Sequence, residues 1–288
     1  MKQLLSILLL ISISLNAAEI RFGKGTFSWD MGINGFMDAS FDLDINTLSL
    51  TETHASIVDT KLYYFYNTDL YRSSFVDKIT TLMSYPVTYE FPIIGSVNDA
   101  IDNYTPIPTP STYKIRGFDL NIGVGYDLYR EKNNYFGIGI NTGLSMPVME
   151  MKDLKKTMDF TYKVLETTKT KIKTYKFGPT LQGGFELSKN IWGYGSFGFG
   201  LQTGSIENEW IKSSIDIDGS YSLIDFGVNF IPLTQYPKLQ LSLGYSKKNW
   251  SIDDIKVDMF NVFEVPSLHI LSNSFSSSSL YLGFGYNF

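Results

Sequence analysis

Along most of the chain apolar and polar residues alternate with a period of two, and no stretch sustains the period of an amphipathic helix. The clearest case is 118–128, where Phe118, Leu120, Ile122, Val124, Tyr126 and Leu128 share one face and Asp119, Asn121, Gly123, Gly125 and Asp127 the other. Residues 136–144 repeat it, with Phe136, Ile138, Ile140, Thr142 and Leu144 against Gly137, Gly139, Asn141 and Gly143. A third strand over 175–187 sets Tyr175, Phe177, Leu181, Phe185 and Leu187 against Lys176, Thr180, Gln182 and Glu186. The same pattern predicts strands over 191–203, 221–231, 238–250 and 277–288. Three earlier ones fall at 25–33 (Phe27, Trp29, Met31, Ile33), 39–50 (Phe41, Leu43, Ile45) and 57–67 (Leu62, Tyr64, Tyr66).

The connections alternate in length. Residues 129–134, 188–190 and 232–237 are short polar turns, whereas 147–173, 204–219 and 251–275 are long. Together these features predict an all-β fold, an antiparallel transmembrane β-barrel of about ten strands with short turns at one end and long loops at the other. Eight or twelve strands are the alternatives, because 153–173 or 253–271 has room for an extra pair. An even count puts both termini on the periplasmic side. The one break in the pattern is 68–112, where Phe75, Val76, Ile79, Leu82 and Met83 have helical spacing and prolines follow at 86, 92, 106, 108 and 110. This segment reads as a long, partly helical outer loop.

Composition sharpens the membrane reading. The chain has 288 residues, 15% of them aromatic and 18% charged, with a mean hydropathy of −0.04 and no cysteine. Strands that show half their residues to lipid and half to a lumen average to that neutrality. The absence of cysteine excludes disulfides and thiolate metal sites. A pI near 5.1 and a net charge of −5 speak against nucleic-acid binding.

The two ends set the location. Lys2, an apolar run from Leu4 to Leu15 and Asn16-Ala17-Ala18 read as a cleaved signal peptide over 1–18, leaving 19–288 as one barrel domain. No later run is apolar over the roughly 20 residues a transmembrane helix needs. The last strand carries Leu280, Leu282, Phe284, Tyr286 and Phe288 on one face and ends on that phenylalanine. A signal peptide with such an ending resembles the Gram-negative outer-membrane β-barrel proteins. That resemblance implies residence in the outer membrane and recognition of the last strand by the barrel-assembly machinery.

Candidate chemistry lies on the faces assigned to the lumen: Asp30, Asp42, Asp44, Asp119, Asp127, Glu186 and Asp225, with Lys61 and Lys176 as the basic partners. Such an excess of carboxylates suits a narrow, porin-like path for small polar solutes or cations. It equally suits a closed barrel whose interior is filled by paired side chains and whose outer loops meet a partner. Eight lysines between 152 and 176 put positive charge within reach of lipopolysaccharide phosphates. Enzymatic signals are weak. The two histidines, His54 in a predicted periplasmic turn and His269 in a predicted outer loop, fall at opposite ends. Gly193-Tyr194-Gly195-Ser196-Phe197-Gly198 matches a dinucleotide pattern but lies inside a strand, without the helix that would bind phosphate. No catalytic residue, metal or cofactor is expected, although an outer-membrane hydrolase stays open.

Overall fold

In a computed structural model the protein is a closed antiparallel barrel. The structure describes residues 17–33, 37–57, 60–84, 105–132, 134–152, 168–208, 214–232, 238–256 and 273–287. The expectations for 1–16, His269, most of the lysine-rich loop and Phe288 lie outside these. The strands are β1 (Ala17–Ile33), β2 (Met37–Ser56), β3 (Leu62–Ser73), β4 (Val76–Ser84), β5 (Thr105–Glu131), β6 (Asn134–Lys152), β7 (Thr168–Ser188), β8 (Ile191–Asn208), β9 (Ser214–Phe230), β10 (Leu239–Lys256) and β11 (Asn273–Asn287).

Consecutive strands pair round the wall, except that β3 and β4 both lie between β2 and β5 without pairing to each other, and β1 closes the ring on β11, from Ala17 opposite Asn287 to Asp30 opposite Ser274. Ten strands make the wall, as expected. The eleventh, β4, is where the helical spacing misleads: Val76–Ser84 is a strand. It continues the line of β3 along β5, with Val76 opposite Tyr113 and Ser84 opposite Thr105. At the break between β3 and β4 the Ser73 hydroxyl oxygen accepts the Ile115 amide at 2.9 Å, replacing a ladder acceptor. Pro106, Pro108 and Pro110 lie within β5, not in a loop. Their alternate spacing keeps the missing donors on one edge, and that edge has no ladder beyond the Thr112–Lys152 pair where β6 ends.

The outer surface divides into two zones. In the half nearer the short turns, large apolar side chains face outward: Ile122, Val124, Tyr126 and Leu128 on β5, Phe136, Ile138 and Ile140 on β6, and Leu280, Leu282, Phe284 and Tyr286 on β11. Counted along β5 this band runs from Phe118 to Leu128, close to the roughly 9–11 residues a tilted strand needs to cross a bilayer. Beyond it the alternation changes phase. In β1 the apolar positions pass from the even residues Ile20 and Phe22, facing out, to the odd residues Phe27 and Trp29, facing in. The same switch occurs in β5 between Phe118 and Ile115, in β7 between Tyr175 and Ile172, in β10 between Leu243 and Trp250, and in β11 between Leu280 and Phe275. The outer half of the barrel therefore stands clear of lipid, with a polar exterior and an apolar interior.

Candidate functional site

Most of the described inward side chains are buried and form layers along the bore. Midway lies a charge-balanced cluster of Asp69 on β3, Asp119 on β5, Lys176 on β7 and Lys248 on β10. Asp119 is fully buried and accepts from Lys176 at 2.8 Å through one carboxylate oxygen and from Lys248 at 2.7 Å through the other. Lys248 also donates to Asp69 at 2.5 Å and to the Asn67 side-chain oxygen at 3.1 Å. Asn121 donates to Asp119 at 2.7 Å, and Ser145 donates to it as well. Trp250 donates its indole N–H to the Ser145 oxygen at 3.1 Å, which joins the cluster to the layer above. The arrangement answers the cost of putting charge in a low-dielectric interior: each ion has an opposite partner, and Asp119 collects four donors.

Nearer the short turns is a second cluster, centred on Arg21 of β1. Its guanidinium reaches Asp225 of β9 at 2.7 Å, Glu19 at 3.0 Å and the Tyr194 hydroxyl at 3.2 Å. The Tyr281 hydroxyl donates to Asp225 at 2.5 Å, and its ring lies 4.3 Å below the guanidinium carbon. At the rim, His54 sits on the lumen side of β2, stacked 3.8 Å from the Tyr135 ring, with Nε2 2.9 Å from Asp127. This places His54 inside a strand end and not in a turn.

Above the middle cluster the bore is packed with apolar side chains. Phe27, Leu43, Ile45, Ile115 and Ile217 are each 1% exposed or less, and Trp29, Phe41, Tyr113, Trp250 and Phe275 join them. Phe41 and Tyr113 rings stand 4.4 Å apart, and Trp29 and Phe275 5.0 Å. Trp250 belongs to this plug and Tyr135 to the rim stack, whereas Tyr126, Tyr129 and Tyr286 face outward.

The predicted lumen residues thus divide. Asp119, Asp127, Lys176 and Asp225 are buried inside the barrel. Asp30, Asp42 and Asp44 are not: they point outward, exposed, with Ser40 donating to Asp30 at 2.6 Å and Ser28 donating to Asp42. They lie beyond the phase switch, where the polar face is the outer one. Glu186 is exposed at the rim nearest the short turns. Lys61 is also outside, its ammonium 5.8 Å from the Tyr126 ring centre. Of the dinucleotide-like glycines, Gly198 faces in beside Asn141, whereas Gly193 lies against the ring of Phe185 on the lipid side. Arg21, Glu19, Asp69 and Lys248 were missed. Lys248 has a sequence signal: it follows Lys247, so one of the pair must face inward.

The assembly-signal residues Leu280, Leu282, Phe284 and Tyr286 line the lipid side of β11. Among the described residues, no group of three or more acidic or histidine side chains could hold a metal.

A closed antiparallel barrel with an outward apolar band and charge-paired side chains inside has the fold of outer-membrane β-barrel proteins, and it resides in the outer membrane. One solved structure shares this fold, and two others align over most of the chain. The outer membrane protease OmpT from Escherichia coli superposes with a TM-score of 0.54 at 9% identity, covering 96% of this chain and 98% of that one. Neisserial surface protein A aligns over 94% of this chain and 99% of its own at 9% identity, with a TM-score of 0.33. Ail of Yersinia pestis aligns over 94% and 98% at 10% identity, with a TM-score of 0.30. No family model and no curated protein matches the chain. At 9% identity the likeness to OmpT is one of fold alone.

Proposed function

We propose that this is a non-conducting outer-membrane barrel, a rigid support that carries the segments joining its outer strand ends at the cell surface, where they meet a partner. The observation that supports this is the filled bore. A path for small polar solutes or ions, the other reading of the sequence, needs continuous water. Here the Asp119–Lys176–Lys248 cluster spans the bore and an apolar plug lies above it. The small circumference of ten strands makes such filling possible. The phase switch adds support, since an apolar interior above the membrane stiffens the wall that holds the outer connections. Assembly would proceed through recognition of the β11 face that carries Leu280, Leu282, Phe284 and Tyr286.

Purified protein in planar bilayers is expected to give no steps of ion conductance, while protein trimmed in 153–167 or 257–272 still assembles and loses surface binding. Reproducible conductance from the intact barrel overturns the closed reading and restores the channel.

A further inference from the structure

We propose that a belt of cations on the outside of the barrel wall, densest on β3, β5 and β7, binds the phosphates of a glycolipid in the outer leaflet. The phase switch fixes where to look. On each strand one can ask which residue is the first to face outward beyond the apolar band. On β1 it is Lys24, after Phe22; on β3, Arg72, after Leu70; on β5, Arg116, after Phe118; on β7, Lys173, after Tyr175; on β10, Lys247, after Tyr245. On four other strands this position is uncharged, Asn46, Thr203, Ser222 and Ser278, and on β6 the residue directly opposite Arg116 and Lys171 is Val148, which carries the apolar face on to Glu150. Half of the wall strands therefore place a cation at one level, and none places a carboxylate there. The outward acids Asp30, Asp42, Asp44, Glu150, Glu207 and Asp218 all come at least one outward position higher.

Within the belt, the β3–β7 side is built at some electrostatic cost. Arg72 and Arg116 are directly opposite each other in the β3–β5 ladder. Like charges in that position destabilise a strand pair. Arg116 holds Glu150 at 3.1 Å, yet its side chain is 58% exposed. Arg72 and Lys171 are exposed and have no ion-pair partner among the described residues. Lys114 and Lys173 rest on the rings of Phe75 and Tyr175 at 4.9 and 5.1 Å, which directs their ammoniums along the wall. Five cations thus meet two carboxylates, Glu150 opposite Lys114 and Glu207 opposite Lys171, with Asp77 at the margin. From β3 to β7 is three inter-strand steps, about 14 Å at the usual spacing. That span accommodates two phosphates on one headgroup, with the arginines supplying paired donors. Directly below, Tyr175, Phe177 and Met146 offer apolar surface to acyl chains. Snorkelling lysines alone would not require two arginines in register.

The inference rests on the outer-membrane placement and not on the closed bore. The test uses the full chain in detergent micelles, titrated with bisphosphorylated lipid A and followed by native mass spectrometry. Arg72→Ala with Arg116→Ala, and Lys171→Ala with Lys173→Ala, are each expected to lower affinity at least tenfold. Lys61→Ala with Lys238→Ala, at the periplasmic end, should change it less than twofold. Lipid A lacking phosphates should bind the unaltered protein at least tenfold more weakly. Heat-modifiable gel mobility checks that each variant is folded; should the Arg72 and Arg116 pair fail to fold, Arg72→Gln alone gives a smaller loss in the same direction. Equal affinity of folded variants and unaltered protein, or equal binding of dephosphorylated lipid, overturns the proposal.

Discussion

The Lys248 ammonium lies 2.7 Å from an Asp119 carboxylate oxygen, although β10 and β5 stand opposite each other across the barrel. Counted either way round the wall, five steps separate them. The pair is thus a strut across the bore, and Lys248 extends it to Asp69. Lys248→Met leaves both carboxylates buried with Lys176 as the remaining cation. Breaking a buried pair from one side costs about 3–5 kcal/mol. Denaturant titration in lipid vesicles should show a loss of that size, and adding Asp69→Asn should recover part of it. A loss below about 1 kcal/mol, the range of exposed ion pairs, would mean that water reaches the cluster.

Several inward glycines are held at close quarters by an aromatic ring from the next strand. A Cβ on Gly125 would fall 2.2 Å from a Tyr63 ring carbon, and one on Gly244 would fall 2.5 Å from the Tyr281 hydroxyl. Gly125→Ala is expected to cost about 1–3 kcal/mol, as overpacking does elsewhere. In a Tyr63→Leu background the same change should cost much less. Equal penalties in both backgrounds, measured by the same titration, would place the clash in the backbone.

If the bore is closed as proposed, the plug and the strut both block it, and removing either one alone should not open it. Phe27→Ala with Ile115→Ala removes two side chains at the centre of the plug, each worth about 2–5 kcal/mol when truncated in a packed core. That variant is expected to stay silent in planar bilayers. Adding Lys248→Ala should give measurable ion conductance. Conductance from the plug variant alone would show that the charged layer does not block ions.

The barrel, its ten wall strands and its lipid face could be read from alternation, because the apolar side is long and unbroken on β5 and recurs with few interruptions on β6 to β8. What alternation does not say is which face is inside. The rule that apolar means lipid assigned Asp119 and Asp225 to the interior, where they lie. It failed for Asp30, Asp42 and Asp44, because beyond the membrane the apolar side packs inward and the polar side meets water. The signal was present in the sequence: Ile20 and Phe22 are even, Phe27 and Trp29 odd, with Lys24 and Gly25 between. A phase change without a turn marks the membrane edge. The clusters were less legible. Arg21 lies among apolar residues in a strand begun too late at 25, and its partners Asp225 and Tyr194 are far along the chain. The helical spacing around Ile79 was overruled by pairing with β5.

The phase switch itself can be tested by charge substitution at two outward positions that lie on either side of it. Leu282 and Asp42 both face outward, the first in the apolar band of β11 and the second beyond the switch on β2. Leu282→Arg puts a guanidinium against acyl chains. Near the bilayer midplane that costs about 2–4 kcal/mol, falling to about 0–1 toward the interfaces. Asp42→Arg puts the same group in water, where surface changes are usually within about 0.5 kcal/mol. Reversible unfolding in vesicles is therefore expected to separate the two by at least about 1.5 kcal/mol on these ranges. Comparable destabilisation by both would mean that the membrane also covers the outer half of the wall. A tolerated Leu282→Arg would mean that the β11 face is not against lipid.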